Sequence, residues 1–82
     1  MEMESGPRIA LQVGAFRERA SADALKDKLA RQFDDVYVSP INSGGEPLFR
    51  VRVGKFKTPD ESTPMREKLQ SAGYASFRVT EP

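Results

Sequence analysis

The sequence predicts an α+β domain of element order βαββαβ, a four-stranded antiparallel sheet with two helices on one face. Three observations lead there. A six-residue motif occurs twice, forty positions apart: Leu11-Gln12-Val13-Gly14-Ala15-Phe16 returns as Val51-Arg52-Val53-Gly54-Lys55-Phe56. Leu25 and Leu29 likewise stand forty positions before Met65 and Leu69, and Val36-Tyr37-Val38 matches Phe77-Arg78-Val79 after a slip of one. Such a repeat marks a supersecondary unit with an apolar face to cover, and two copies suit a small domain whose halves cover each other. Within each copy the hydrophobic period switches from 2 to 3.6 and back. Finally, every predicted strand is apolar on one side only, as expected of a sheet covered on one face.

Ile9, Leu11 and Val13 alternate with Ala10, Gln12 and Gly14 in a first strand that Phe16 closes. From about Glu18 to Gln32, Ala22, Leu25, Leu29 and then Phe33 make an apolar stripe at helical spacing. Asp27 and Arg31 are placed to pair one turn apart. Asp34-Asp35 is a turn. Val36 and Val38 then face one way, with Tyr37 and Ser39 the other. Residues 40–47, with Asn42-Ser43-Gly44-Gly45, read as a hairpin loop. The third strand sets Phe49, Val51 and Val53 against Leu48, Arg50 and Arg52. Thr58-Pro59-Asp60-Glu61 starts a helix: a Thr cap, Pro at the first helical position and Glu at the capping-box position. Met65 and Leu69 form its stripe and Gly73 ends it. Pro64 lacks an amide hydrogen inside that helix and predicts a loose first turn. In the last strand Ala75, Phe77 and Val79 are assigned inward, and Ser76, Arg78 and Thr80 outward.

Eighty-two residues make one domain with a small core. Residues 1–7 read as a disordered lead-in without the apolar stretch of a signal peptide, and 8–82 as the domain. The chain has no Cys and no His, which removes thiolate ligands, the commonest general base and the commonest metal ligand. No catalytic constellation, metal site or cofactor is expected. Thirteen basic and twelve acidic side chains leave a net charge of +1, so bulk charge points to neither nucleic acid nor an anionic membrane. No apolar run approaches the ~20 residues of a membrane span.

Alternation assigns Gln12, Tyr37, Ser39, Leu48, Arg50, Arg52, Ser76, Arg78 and Thr80 to the uncovered face. With the first and third strands as the central pair, Gln12 lies near Arg50 and Arg52. Three arginines, an amide and an aromatic can recognise a hydroxyl-rich or acidic polymer, because guanidinium binds carboxylate through two parallel hydrogen bonds and an amide both donates and accepts. The same arginines also read as solubilising surface that discourages edge pairing. Gly14 and Gly54 each precede a helix; without a full phosphate-loop motif they read as glycines that bend strand into helix.

Leu11 to Phe16, then Ala22/Leu25/Leu29, then Phe49 to Phe56, then Ala72-Gly73-Tyr74 form a series that resembles the SPOR (sporulation-related repeat) family over nearly the whole chain. The resemblance implies an RNP-like or ferredoxin-like domain from a bacterial envelope protein, located in the periplasm and enriched at the division septum. It implies binding of septal peptidoglycan, above all of denuded glycan strands without stem peptides. The parent would be a division protein, an amidase or a lytic transglycosylase-like protein. Family binding positions carry over to Gln12 and Arg50, and to Ala15 and Leu48, where members often have Ser and an aromatic. Tyr37, Arg52 and Arg78 complete the expected glycan site. The expected state is a monomer that meets a membrane only through an anchor elsewhere in its parent. Two other readings use the same topology: a single-stranded RNA-binding RRM-like domain, which needs stacking aromatics on its central strands, and a protein-interaction or dimerisation module.

Overall fold

The computed structural model describes residues 8–81. Its elements are β1 (Arg8–Phe16), α1 (Arg19–Ala30), β2 (Val36–Ser43), β3 (Glu46–Phe56), α2 (Pro59–Ser71) and β4 (Phe77–Glu81). The strands form one antiparallel sheet in the order β2-β3-β1-β4, so β1 and β3 are the central pair. The predicted element order and sheet are both present. The expected lead-in at residues 1–7 lies outside the described residues.

Both helices pack on one face of the sheet. Leu11, Val51 and Val53 from the central strands meet Ala22, Leu29 and Phe33 from α1 and its exit, and Leu69 from α2. Phe16, Phe49, Phe56 and Met65 close the margins of this cluster. Leu25, expected deep in the stripe, is only partly buried.

The pairing of β1 with β3 encodes the repeat. Gln12 and Arg52, the counterparts of each other at a spacing of forty, are direct partners, so a pseudo-twofold axis passes between them. The outer pairs obey it: Ile9↔Phe56 in one half corresponds to Phe16↔Phe49 in the other. A register irregularity lies on each side of the axis. At one of them Gly54 has φ of 83°, and a Cβ there would stand 2.3 Å from the Phe56 ring. Any side chain would therefore be strained in backbone and in contact. Gly14 and Gly54 thus sit inside strands, at ladder irregularities, rather than bending strand into helix as expected.

The hairpin is longer and tighter than predicted. The ladder between β2 and β3 runs out to Ser43↔Glu46, through residues expected to be loop. Gly44 and Gly45 both have positive φ, 63° and 86°, which is the two-residue turn whose twist matches a hairpin. Pro40 is tolerated because β2 is an edge strand, and Pro47 because β1 has already ended at Phe16↔Phe49. A bond from Arg17 to Glu46 ties the projecting ribbon to the end of β1.

α2 also differs from expectation. It is helical from Pro59 straight through Pro64 to Ser71. Thr58 Oγ1 accepts from the Glu61 amide at 3.3 Å, and Glu61 Oε1 accepts from the Lys57 amide at 2.9 Å. This capped first turn holds the helix in place ahead of the proline. At the far end the Tyr74 amide donates to Leu69 at 2.8 Å and the Gly73 amide to Gln70 at 3.0 Å, a Schellman closure. On α1, Arg19 pairs with Asp23, whereas Asp27 lies 3.9 Å from Lys26 rather than pairing with Arg31.

The main correction concerns β4. Its partners are Gln12↔Phe77, Leu11↔Arg78, Ala10↔Val79 and Ile9↔Thr80. Directly paired residues share a face, and Leu11 is fully buried under the helices. Arg78 therefore lies on the helix side, not on the open face. Its Nε donates to Ser62 Oγ at 2.9 Å and its Nη2 to Thr63 Oγ1 at 3.0 Å, both on α2. Phe77, assigned inward, is on the open face and 56% exposed. A one-residue error in register turns every side chain over, so Val79 and Thr80 also change sides, and Ser76 falls before the strand. The repeat period of forty holds without the slip: Phe77 is the counterpart of Tyr37.

Leu29→Ala should lower stability by ~2–5 kcal/mol, as for a fully buried leucine. Leu25→Ala should cost clearly less, because that side chain is half-buried. Urea denaturation of both variants checks the order; an equal or larger loss for Leu25→Ala would contradict this packing.

Candidate ligand-binding face of the sheet

The bare side of the sheet is organised in rows across the strands. One row reads Tyr37, Arg52, Gln12, Phe77, with one residue from each strand in the order β2, β3, β1, β4. At ~4.8 Å between strands it spans about 14 Å. It is symmetric in character, two polar side chains at the pseudo-twofold axis and an aromatic at each end. The next row holds Ser39, Arg50 and Ala15, and beyond it lie Ile41 and Leu48. Six of the seven predicted site residues thus share this face: Gln12, Ala15, Tyr37, Leu48, Arg50 and Arg52. Arg78 does not.

The two arginines of β3 are in different situations. Arg52 is 6% exposed. Its Nε donates to Gln12 Oε1 at 3.0 Å and its Nη1 to Glu81 Oε2 at 2.5 Å. The other oxygen of Glu81 accepts from the Tyr37 hydroxyl at 2.9 Å. A guanidinium this buried needs such partners, because an unpaired charge out of water is very costly. Lys55 stands over the Tyr37 ring, 5.5 Å from its centroid. Arg50 is half-buried and anchored to its neighbour strand, with Nε on the Ser39 carbonyl at 3.1 Å and Nη2 on Ser39 Oγ at 2.8 Å. Its Nη1 has no partner among the described residues. Arg50 is therefore a pre-oriented cation with donor capacity to spare, and Arg52 is committed. A shallow depression of about 530 Å³ lies above them, lined by Tyr37, Ser39, Ile41, Arg50, Arg52 and Glu81 among others.

Electrostatics follow from this arrangement. Burial pushes the Tyr37 phenol well above its usual value, and the hydrogen bond to Glu81 adds to the rise. For Glu81, burial works to raise the carboxyl, but hydrogen bonds from Arg52 and Tyr37, helped by the charges of Arg52 and Lys55, outweigh it and hold the group below the usual carboxylate range. Burial, then the charge of Arg52, lowers Arg50. Among the described residues there is no group of three or more His, Cys, Asp or Glu that could hold a metal.

Phe77, Val79 and Glu81 of β4, and Ile41 of the extended hairpin, lie on this face and escaped the sequence reading. Phe77 was legible had the period of forty been kept to the end of the chain. Glu81 was not: its forty-residue counterpart is Ile41, and alternation alone cannot say that it reaches across to Arg52 and Tyr37.

These features define a class: a small α+β recognition domain whose uncovered sheet presents fixed polar groups between two aromatics. The chain belongs to the SPOR domain family, whose model matches residues 5–80. The SPOR domain of RlpA from Pseudomonas aeruginosa, a crystal structure, is similar with a TM-score of 0.75 and 30% identity, over 87% of this chain and 96% of that one. The peptidoglycan-binding domain of the B. subtilis cell wall lytic enzyme CwlC, a solution structure, is similar with a TM-score of 0.73 and 25% identity, over 100% of this chain and 99% of that one. No curated protein matches the chain.

The Glu81 pairing has a pH signature. Its carboxyl is more acidic folded than unfolded, where the reference value is ~4.3. Its contribution to stability is thus complete above that value and is lost as pH falls through the lower folded value. Thermal melts of wild type and Glu81→Gln should show the variant less stable at pH 7, with the gap narrowing below about pH 4.3. A gap independent of pH from 7 to 3 would remove the ion pair from the account.

Proposed function

We propose that this domain is a non-catalytic peptidoglycan-binding module that recognises denuded, septal glycan strands through the open face of its sheet. The observation that supports this most is a pre-oriented arginine, Arg50, beside a row of Tyr37, Arg52, Gln12 and Phe77, in a chain similar to the CwlC peptidoglycan-binding domain. Removing the stem peptide from N-acetylmuramic acid uncovers a lactyl carboxylate. A denuded strand then offers a negative charge on each disaccharide, with acetamido and hydroxyl groups between. Arg50 pairs with the carboxylate, and polar groups of the face meet the rest. Tyr37 and Phe77 give flat apolar surfaces to sugar rings at either end. A peptide-bearing strand loses the charge and adds bulk over the sheet, so discrimination has an attractive and a repulsive part. The domain acts as a monomer in the bacterial envelope and directs its parent, an amidase, a transglycosylase-like protein or a division protein, to the septum.

Purified sacculi test this. Pull-down should increase after amidase treatment of the sacculi; equal recovery on RNA homopolymer would favour the RNA-binding reading instead. Arg50→Ala should lose ~1.5–3 kcal/mol of binding to denuded oligosaccharide, the worth of a charge-assisted hydrogen bond. Gln12→Ala should also weaken binding, and additionally free Arg52. Calorimetric titration beside a thermal melt separates the two, and wild-type affinity in Arg50→Ala would remove that residue from the site.

A further inference from the structure

Glu81 stands where a ligand's acidic group would be expected. Its carboxylate spans Arg52 and Tyr37, each holding a different oxygen, on the face proposed for glycan. Lys55 lies over the same tyrosine. A guanidinium and a phenol hold one carboxylate with both oxygens satisfied, beside an ammonium over the phenol ring, and this arrangement has the chemistry of a carboxylate site. Glu81 is the outer member of the ion pair: its side chain is 19% exposed against 7% for Arg52, at the end of the five-residue edge strand β4, and it lines the shallow depression over Arg50.

We infer that Arg52, Tyr37 and Lys55 form a second carboxylate subsite for the acidic glycan, and that Glu81 occupies it as an internal stand-in which the ligand's carboxylate displaces. The inference rests on the peptidoglycan reading above. Exchange of one carboxylate for another leaves Arg52 paired throughout, so the buried guanidinium is never exposed without a counter-ion. Glu81 is then the residue that sets selectivity. Neutral glycan, or glycan whose carboxylate is capped by a stem peptide, cannot replace it and meets a face whose central cation is already neutralised. A strand carrying free carboxylates can engage Arg50 directly and Arg52 by exchange. Both cations can face one strand, since Arg50 and Arg52 are two residues apart on β3, about 7 Å, with side chains on the same face.

The test uses the full chain, wild type and Glu81→Gln, titrated calorimetrically with stem-peptide-free muramic-acid oligosaccharide and with the same oligosaccharide amidated at its carboxylates. Gln keeps the size and can still accept from Arg52, but has no charge to compete. Glu81→Gln should bind the free acid about tenfold more tightly than wild type, the scale of one charge-assisted hydrogen bond. Affinity for the amidated sugar should be unchanged. In wild type, the Glu81 carboxyl carbon resonance should move toward that of a solvated glutamate as the acid form saturates. Equal or weaker binding of the acid by a folded Glu81→Gln overturns the inference, as does a Glu81 resonance that stays fixed while wild type saturates. The latter holds even if the variant fails to fold. If neither protein binds either oligosaccharide, the peptidoglycan reading itself has failed. Binding of both sugars by wild type without the Glu81 effects removes only the stand-in.

Discussion

The antiparallel pairing of β1 with β3 is the contact on which the rest of the molecule depends. It joins two copies of one motif around the Gln12–Arg52 pair, and it is the middle of the sheet. Beneath it, Leu11, Val51 and Val53 are fully buried against both helices. Above it, Gln12 and Arg52 bond to each other at 3.0 Å. One alternating pattern thus makes the apolar floor of the core and the polar centre of the site. Neither half could do this alone, because each copy contributes one central strand and one helix.

The open face follows from that pairing with few further choices. Arg52 lies at the centre, buried with its charge, and Gln12 and Glu81 are the partners that satisfy it. Glu81 in turn fixes the Tyr37 hydroxyl. The edge strands are therefore tied to the centre through side chains as well as through the ladder. Arg50, one row away, is held by Ser39 and keeps a donor free. The polar side chains of the face thus bond to one another across all four strands. Two arginines that look alike in sequence differ here: Arg52 is already paired with Gln12 and Glu81, whereas Arg50 is held by Ser39 with a donor to spare.

Much of this was legible in the sequence because it rests on short-range pattern. The doubled Val-Gly-x-Phe motif, the stripe of Ala22, Leu25 and Leu29, and the Thr58-Pro59 start each signal locally. What escaped did so for definite physical reasons. Matching Val36-Tyr37-Val38 to Phe77-Arg78-Val79 by likeness of apolar residues introduced a slip of one. The sheet instead keeps the period of forty, with Arg78 bonded to α2 and Phe77 exposed at the edge. Apolar character misled there because an edge strand can place an arginine over a helix start and leave a phenylalanine bare. The extended hairpin was hidden by Pro40 and Pro47, which break pattern but fall where no ladder amide is needed. Glu81 makes only long-range contacts, and nothing in its neighbours foretells them.

The central claim is that the bare sheet face, with Phe77 on it and Arg78 behind it, is the recognition surface. Phe77→Ala and Arg78→Ala test this as adjacent residues on opposite sides of one strand. Affinity for denuded glycan by calorimetry, set beside the melting temperature, should cross over between them. Phe77→Ala should keep its melting temperature and lose affinity. Arg78→Ala should lose its bonds to Ser62 and Thr63, melt lower and bind as wild type does. Loss of affinity in a folded Arg78→Ala, with Phe77→Ala binding normally, would place the ligand on the other side of β4 and contradict the account.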